Sequence, residues 1–159
     1  MGKLLFFTVL ALSVSFVCSI LEAVLLSITP AFVRAARDAG SKVGIRLYRL
    51  KRDVDEPLAA ILSLNTIANT IGAAGVGAQA AIVFGNAYVG AISAVLTLLI
   101  LVFSEIIPKT LGALHWRRLA PVAAWVLPVM ITILFPLVWL AMFITRRLSR
   151  NQKRVGVSR

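Results

Sequence analysis

The chain reads as an all-α integral membrane protein: three transmembrane helices, amphipathic juxtamembrane helices, and a proline-bent, re-entrant C-terminal segment. Three observations predict this. Hydrophobic residues make up 60% of the 159 and the mean hydropathy is +0.94, well above a soluble domain. Several apolar runs reach the ~20 residues that a spanning helix needs. The 17 Lys and Arg residues gather in clusters flanking those runs. The net charge of +11 therefore reports membrane orientation and contact with membrane lipid, and no nucleic-acid partner is inferred. With Cys18 as its one cysteine, the chain can form neither an intrachain disulfide nor a metal–thiolate cluster.

The first span is expected over about residues 4–29, an apolar run broken only by Ser, Thr, Cys18 and Glu22. It is too long for a signal peptide and lacks a small-x-small cleavage site. Residues 30–56 are strongly charged, yet Phe32, Val33, Ala36 and then Val43, Leu47, Leu50 recur at helical spacing. That pattern predicts two amphipathic helices on the membrane surface, broken at Gly40-Ser41. Their charge outweighs Lys3, which makes this loop cytoplasmic and the N-terminus external.

Asp53-Val54-Asp55-Glu56-Pro57 is a helix start, with capping residues ahead of a proline. The second span follows over about 57–84. Asn65, Asn69, Gly72, Gly75 or Val76, and Gln79 form a stripe at three- and four-residue steps, suited equally to interhelical hydrogen bonding and to ion ligation. Gly85-Asn86 marks an external turn. The third span, about 88–107, carries Gly90, Ser93, Thr97 and Ser104 on one face and runs into Pro108.

Residues 109–118, with Lys109, His115, Arg117 and Arg118, form a second basic juxtamembrane segment. The next apolar run, 119–145, has basic clusters at both ends and contains Pro121, Pro128 and Pro136. A straight span would place one cluster outside, so a bent segment that re-enters and returns fits better. Residues 146–159 are then a basic cytoplasmic tail, and the protein is a multi-pass protein of the cell (inner) membrane.

An ionisable side chain within a span is costly and usually faces an ion path, a cavity or a partner. Glu105 and Glu22 are therefore the leading candidates for function. The bland reading of Glu105 is a surface pair with Lys109, worth ~0.2–0.5 kcal/mol, and that of Glu22 is a hydrogen bond to a neighbouring helix. Catalysis is disfavoured, since the spans hold no nucleophile with an adjacent base.

Three segments resemble the signatures of the CorC/CNNM (cyclin M) magnesium transporters, in the right order and over nearly the whole chain. They are Ser19-Ile20-Leu21-Glu22-Ala23-Val24-Leu25-Leu26-Ser27, Leu62-Ser63-Leu64-Asn65-Thr66-Ile67-Ala68-Asn69, and Ser104-Glu105-Ile106-Ile107-Pro108-Lys109-Thr110-Leu111-Gly112. The family patterns read approximately Ser-x-x-Glu-x-Ala-Leu-x-Ser, Gly-Asn-x-x-x-Asn and Gly-Glu-Ile-x-Pro-Lys. Leu64 and Ser104 stand where the family has glycine, so a main-chain contact there can change or gain a hydroxyl. The resemblance implies a homodimeric membrane domain that exports Mg2+, with the ion as transported substrate and an ion such as Na+ as a candidate coupling partner. It also implies metal ligands at Ser19, at Asn65 or Asn69, and at Glu105, with Glu22, Ser27 and Ser104 as further candidates. The family's cytoplasmic CBS domains are absent from these 159 residues, which are then either a stand-alone unit or the membrane portion of a longer protein.

The chemistry is consistent: Mg2+ is hard, prefers oxygen and gives up water reluctantly, and Ser, Asn and Glu present oxygens. One carboxylate leaves a net positive site, which suits release as well as binding. There is a geometric condition. If the third helix stops at Ile107, Glu105 lies only ~3 Å from its end, whereas Ser19 and Asn65 lie ~12–15 Å deep. The helix must therefore continue past Pro108 to about Leu111 or Gly112. The alternative function is a non-transporting membrane anchor or magnesium sensor, in which the polar stripes only pack helices. The topology makes one prediction: a cysteine introduced by Arg150→Cys reacts with an impermeant maleimide only from the cytoplasmic side. Labelling from outside alone would contradict the re-entrant segment.

Overall fold

The computed structural model describes residues 1–155. Its elements are α1 (Gly2–Ser27), α2 (Pro30–Asp38), α3 (Lys42–Arg52), α4 (Asp55–Phe84), a 3-10 turn (Asn86–Tyr88), α5 (Val89–Leu99), a π-helical turn (Ile100–Ile106), α6 (Ile107–Leu114), α7 (Trp116–Ile133) and α8 (Phe135–Val155). No strand occurs among the described residues. Four stretches are long and apolar enough to cross a membrane: α1, α4, the composite Asn86–Leu114, and α7. The first three are the expected spans. The fourth is the first limb of the segment expected to bend.

That segment breaks at Leu134 (φ −95°, ψ 15°), while Pro121 and Pro128 lie inside α7. Of the three prolines, only Pro136 coincides with the break. It occupies the first turn of α8, where a missing N–H costs no intrahelical bond. Residues 146–155 of the basic tail prolong α8. Residues 156–159 lie outside the described residues, as do the side chains of Arg146, Arg150, Lys153 and Arg154.

Local chemistry places the amphipathic pair. The Thr29 hydroxyl accepts from the Phe32 N–H (3.3 Å) and Pro30 opens α2, a standard helix start. The helix closes at Gly40 (φ +70°), with the Ser41 N–H returning to the Ala36 carbonyl at 3.2 Å. This is a glycine-dependent cap that other residues adopt only under strain. Rings and cations hold α2 and α3 on α7: Phe32 meets Trp116 edge-on at 5.2 Å, and the Arg46 guanidinium lies 3.3 Å over the Trp125 ring. Lys51 Nζ donates to the Leu25 carbonyl at 3.1 Å, satisfying an oxygen in the last turn of α1 that the helix itself leaves free.

The apolar core sits at this juxtamembrane end. It joins Leu21, Val24, Leu25 and Ile28 to Leu47, Ile61 and the small face Ala120-Ala123-Ala124 with Leu127. Away from it the bundle is thin and α1 packs closely on α4. Gly72 lies against Ala11 and Gly75 against the Phe7 ring, so the two helices run antiparallel. The third span runs parallel to α1: Ser104 Oγ donates to the Leu12 carbonyl at 3.1 Å, and Gly112 faces Ile20 and Ala23. Lipid is the natural neighbour of the outer faces, since only 11–28% of each spanning window is buried within the chain.

Gly112 is a test of this packing, because a Cβ there would lie 2.8 Å from the Ile20 carbonyl and 2.9 Å from the Ala23 methyl. Gly112→Leu is expected to cost ~1–3 kcal/mol through overpacking, seen as a lower melting temperature in detergent. Gly90→Leu, with nothing within 4 Å of the added Cβ, is the control and should change little. Equal effects from the two would contradict the close approach of α6 to α1.

A candidate metal site between three helices

The third span does continue past Pro108, to Leu114, and the π turn makes that possible. Proline lacks an N–H and its ring collides with the carbonyl four residues back in α geometry; here that carbonyl belongs to Ser104. Immediately before Pro108, the Ile107 N–H donates to the carbonyl of Val102, five residues back. The wider turn relieves the collision and shifts the register of the residues before it. π turns of this kind are frequent at functional sites, and this one carries Ser104 and Glu105.

The packing contacts set the levels of the side chains. Extending the antiparallel register from Gly72–Ala11 and Gly75–Phe7 brings Asn69 level with Ser15 and Asn65 level with Ser19. The parallel contacts from Ser104 to Leu12 and from Gly112 to Ile20 and Ala23 bring Glu105 level with residues 13–16 of α1, about one to two turns from Ser19. Glu105 is thus well inside the span along its axis, and it is half-buried. The ligand candidates on three helices fall within two successive helical turns.

Three oxygens in this region are buried with no hydrogen-bond partner: Ser15 Oγ, Ser19 Oγ and Asn69 Oδ1. Ser15 is 0% exposed and Ser19 1%. Asn69 Nδ2 donates to Asn65 Oδ1 at 3.5 Å, so the two asparagines form a unit with the Asn69 oxygen left over. A buried polar atom without a partner costs ~1–3 kcal/mol, and here three fall in adjacent turns. These donors are hydroxyl and amide oxygens. Among the described residues no three His, Cys, Asp or Glu side chains converge.

Of the remaining candidates, Ser104 is fully buried and uses its hydroxyl proton on Leu12. Ser27 ends α1, ~12 Å along the axis from Ser19, and is not brought to the cluster. Glu22 pairs with Lys109, Nζ to Oε2 at 3.3 Å, instead of bonding a second-span asparagine. Lys109 is thereby drawn to α1, and the surface pair Glu105–Lys109 considered from sequence is replaced by a tie between α6 and α1. Ser15 is the residue that sequence reasoning missed. Its signal was present, since it lies four residues before Ser19 and shares its face.

Fold and site together describe a polytopic helical membrane protein with an oxygen-lined polar centre between its spans. Residues 6–158 match the family model of the cyclin M transmembrane N-terminal domain, and the chain belongs to that CNNM family, which is associated with Mg2+ transport and is a transporter family rather than an enzyme family. Similar proteins include UPF0053 protein sll1254 of Synechocystis, 35% identical over 86% of this chain and 40% of that protein. A UPF0053 protein of Haemophilus influenzae is 31% identical over 81% of this chain and 31% of its own length. The UPF0053 inner membrane protein YfjD of Escherichia coli is 32% identical over 70% of this chain and 26% of that protein. The chain thus spans less than half the length of these relatives.

Proposed function

We propose that this chain is the ion-moving part of a Mg2+ exporter of the inner membrane, driven by an ion gradient such as that of Na+. A dehydrated Mg2+ is held between α1, α4 and the π turn. The observation that carries this reading is the trio of partnerless buried oxygens on Ser15, Ser19 and Asn69, within one to two helical turns of the level of Glu105. Mg2+ favours all-oxygen coordination, and its binding would turn three desolvated dipoles from a cost into ligands. Asn65 orients Asn69 through their side-chain bond and offers a further oxygen. Pro108 provides no N–H for the Ser104 carbonyl, which makes a main-chain oxygen beside Glu105 available as well.

Charge sets the balance between selection and release. A single carboxylate leaves the occupied centre at a net +1, so binding stays reversible. The Glu22–Lys109 pair is neutral as a unit and lies between the centre and the juxtamembrane end. In this reading the centre opens toward the cytoplasm, the N-terminus is external, and α7 with α8 forms the re-entrant segment that returns the C-terminus to the cytoplasm. The apolar outer face of the third span, whose window is only 11% buried, is where a homodimer partner would pack. Since the relatives are much longer than this chain, a regulatory CBS-type unit is expected to act on it from the cytoplasmic side.

Glu105→Gln is expected to abolish Mg2+ efflux from loaded proteoliposomes while leaving folding and dimerisation unchanged. In the wild type, Mg2+ at 100 times its dissociation constant should stabilise the folded state by about 2.7 kcal/mol; in the variant this gain should disappear. Full efflux from the variant would overturn the proposal and leave the anchor or sensor reading in its place.

A further inference from the structure

A second polar site lies away from the ion centre, between the two amphipathic helices. There α2 and α3 enclose a cleft of about 410 Å3 lined by Val33, Arg34, Arg37, Tyr48, Lys51 and Arg52. Four cations thus face one small volume. Their only nearby carboxylate contact among the described residues is Arg37 Nε to Asp38 Oδ1 at 3.6 Å, between exposed groups, where screening leaves little net energy. Arg34, Lys51 and Arg52 have no carboxylate partner among the described residues.

Two of the four donors, Arg37 and Lys51, are held before any ligand arrives. Val33 forms a buried floor. The Arg37 guanidinium is stacked 4.5 Å over the Tyr48 ring. Lys51 is tethered to the Leu25 carbonyl, and burial lowers its pKa from the ordinary lysine range, so an entering anion would favour its charged form. Two guanidiniums from α2, one from α3 and an ammonium form a donor array that suits a tetrahedral oxyanion, since arginine forks bind phosphate oxygens in pairs.

We propose that the α2–α3 cleft binds a phosphate group, contributed by the headgroup of an anionic phospholipid of the membrane leaflet in which α1 ends. The location favours a lipid over a soluble phosphate. The Lys51–Leu25 bond fixes the cleft against the last turn of a spanning helix, at the depth where headgroups lie. Juxtamembrane clusters of basic residues attract anionic lipid in general; here the sequence concentrates them on one pocket. This proposal does not depend on Mg2+ transport and would stand if the ion site failed its own test.

Native mass spectrometry of the full chain in detergent tests it, with phosphatidylglycerol and phosphatidylcholine as alternative probes. The wild type should retain phosphatidylglycerol in preference to phosphatidylcholine. The double variant Arg34→Gln/Arg52→Gln should bind phosphatidylglycerol about thirty-fold more weakly, whereas Arg117→Gln, a basic residue outside the cleft, should not alter binding. Arg34→Lys/Arg52→Lys, which keeps both charges and loses the forked geometry, should fall between wild type and the Gln pair. It provides the reading even if the Gln pair fails to fold. Inorganic phosphate supplies the second arm: if it binds in the absence of lipid and displaces phosphatidylglycerol, the phosphate site stands with a soluble source. Retention of phosphatidylglycerol by the Lys pair equal to that of wild type, or no preference for phosphatidylglycerol and no binding of phosphate, would overturn it.

Discussion

Pro108 cannot donate a backbone hydrogen bond, and in a tight helix its ring strikes the carbonyl of Ser104. A helix meeting that residue must stop, kink or widen, and this one widens into a seven-residue π turn, Ile100–Ile106. The consequences extend well beyond the turn. Because the helix continues, α6 can lay Gly112 against α1 and send Lys109 to Glu22. Because it widens just before the proline, Ser104 reaches the Leu12 carbonyl and Glu105, half-buried, sits well inside the span along its axis. Had the helix ended at Ile107, the carboxylate would lie near the membrane surface, away from Ser15 and Asn69.

A membrane bundle gains little from apolar burial between helices, because lipid is an equally good apolar neighbour; close packing and polar contacts hold it together instead. This chain uses close approach at Gly72 and Gly112, and confines its dense apolar core to the juxtamembrane end, where Leu47, Ile61 and Leu127 meet the end of α1. The middle of the bundle is left with the side-chain oxygens of Ser15, Ser19 and Asn69 buried and, among the described residues, without hydrogen-bond partners. Unpaired polar atoms in a core lower its stability by ~1–3 kcal/mol each. In the proposed transporter an ion that satisfies them would recover that cost.

Much of this was legible in the sequence. The amphipathic pair is visible in the 3.6-residue recurrence of Phe32, Val33, Leu47 and Leu50, and its break in Gly40. The three spans are visible in their apolar length, and the passage of the helix through Pro108 followed from the need to bring Glu105 level with the polar residues of the other spans. Other features depended on relations between helices, which a linear reading does not contain. Lys109 has Glu105 four residues away in sequence, yet it pairs with Glu22 because α6 packs parallel to α1. Ser15 reads as one more small residue of an apolar run until the register with α4 sets it level with Asn69. Among Pro121, Pro128 and Pro136 the sequence shows three possible bends; only at Pro136 does the proline fall in a first turn, where the missing N–H costs nothing.

The two polar features of the chain divide its charge between them. The cations of α2 and α3 lie at the juxtamembrane end, and Glu105 lies within the third span, half-buried. In the proposed transporter the first grips the membrane and the second receives the ion, with the Glu22–Lys109 tie between them. The most direct test of this account is anomalous diffraction from crystals grown with Mn2+ as an oxygen-seeking stand-in for Mg2+. The account predicts a peak enclosed by the side-chain oxygens of Ser15, Asn69 and Glu105. A map in which Mn2+ appears elsewhere on the chain, with those oxygens bonded only to one another, would contradict it.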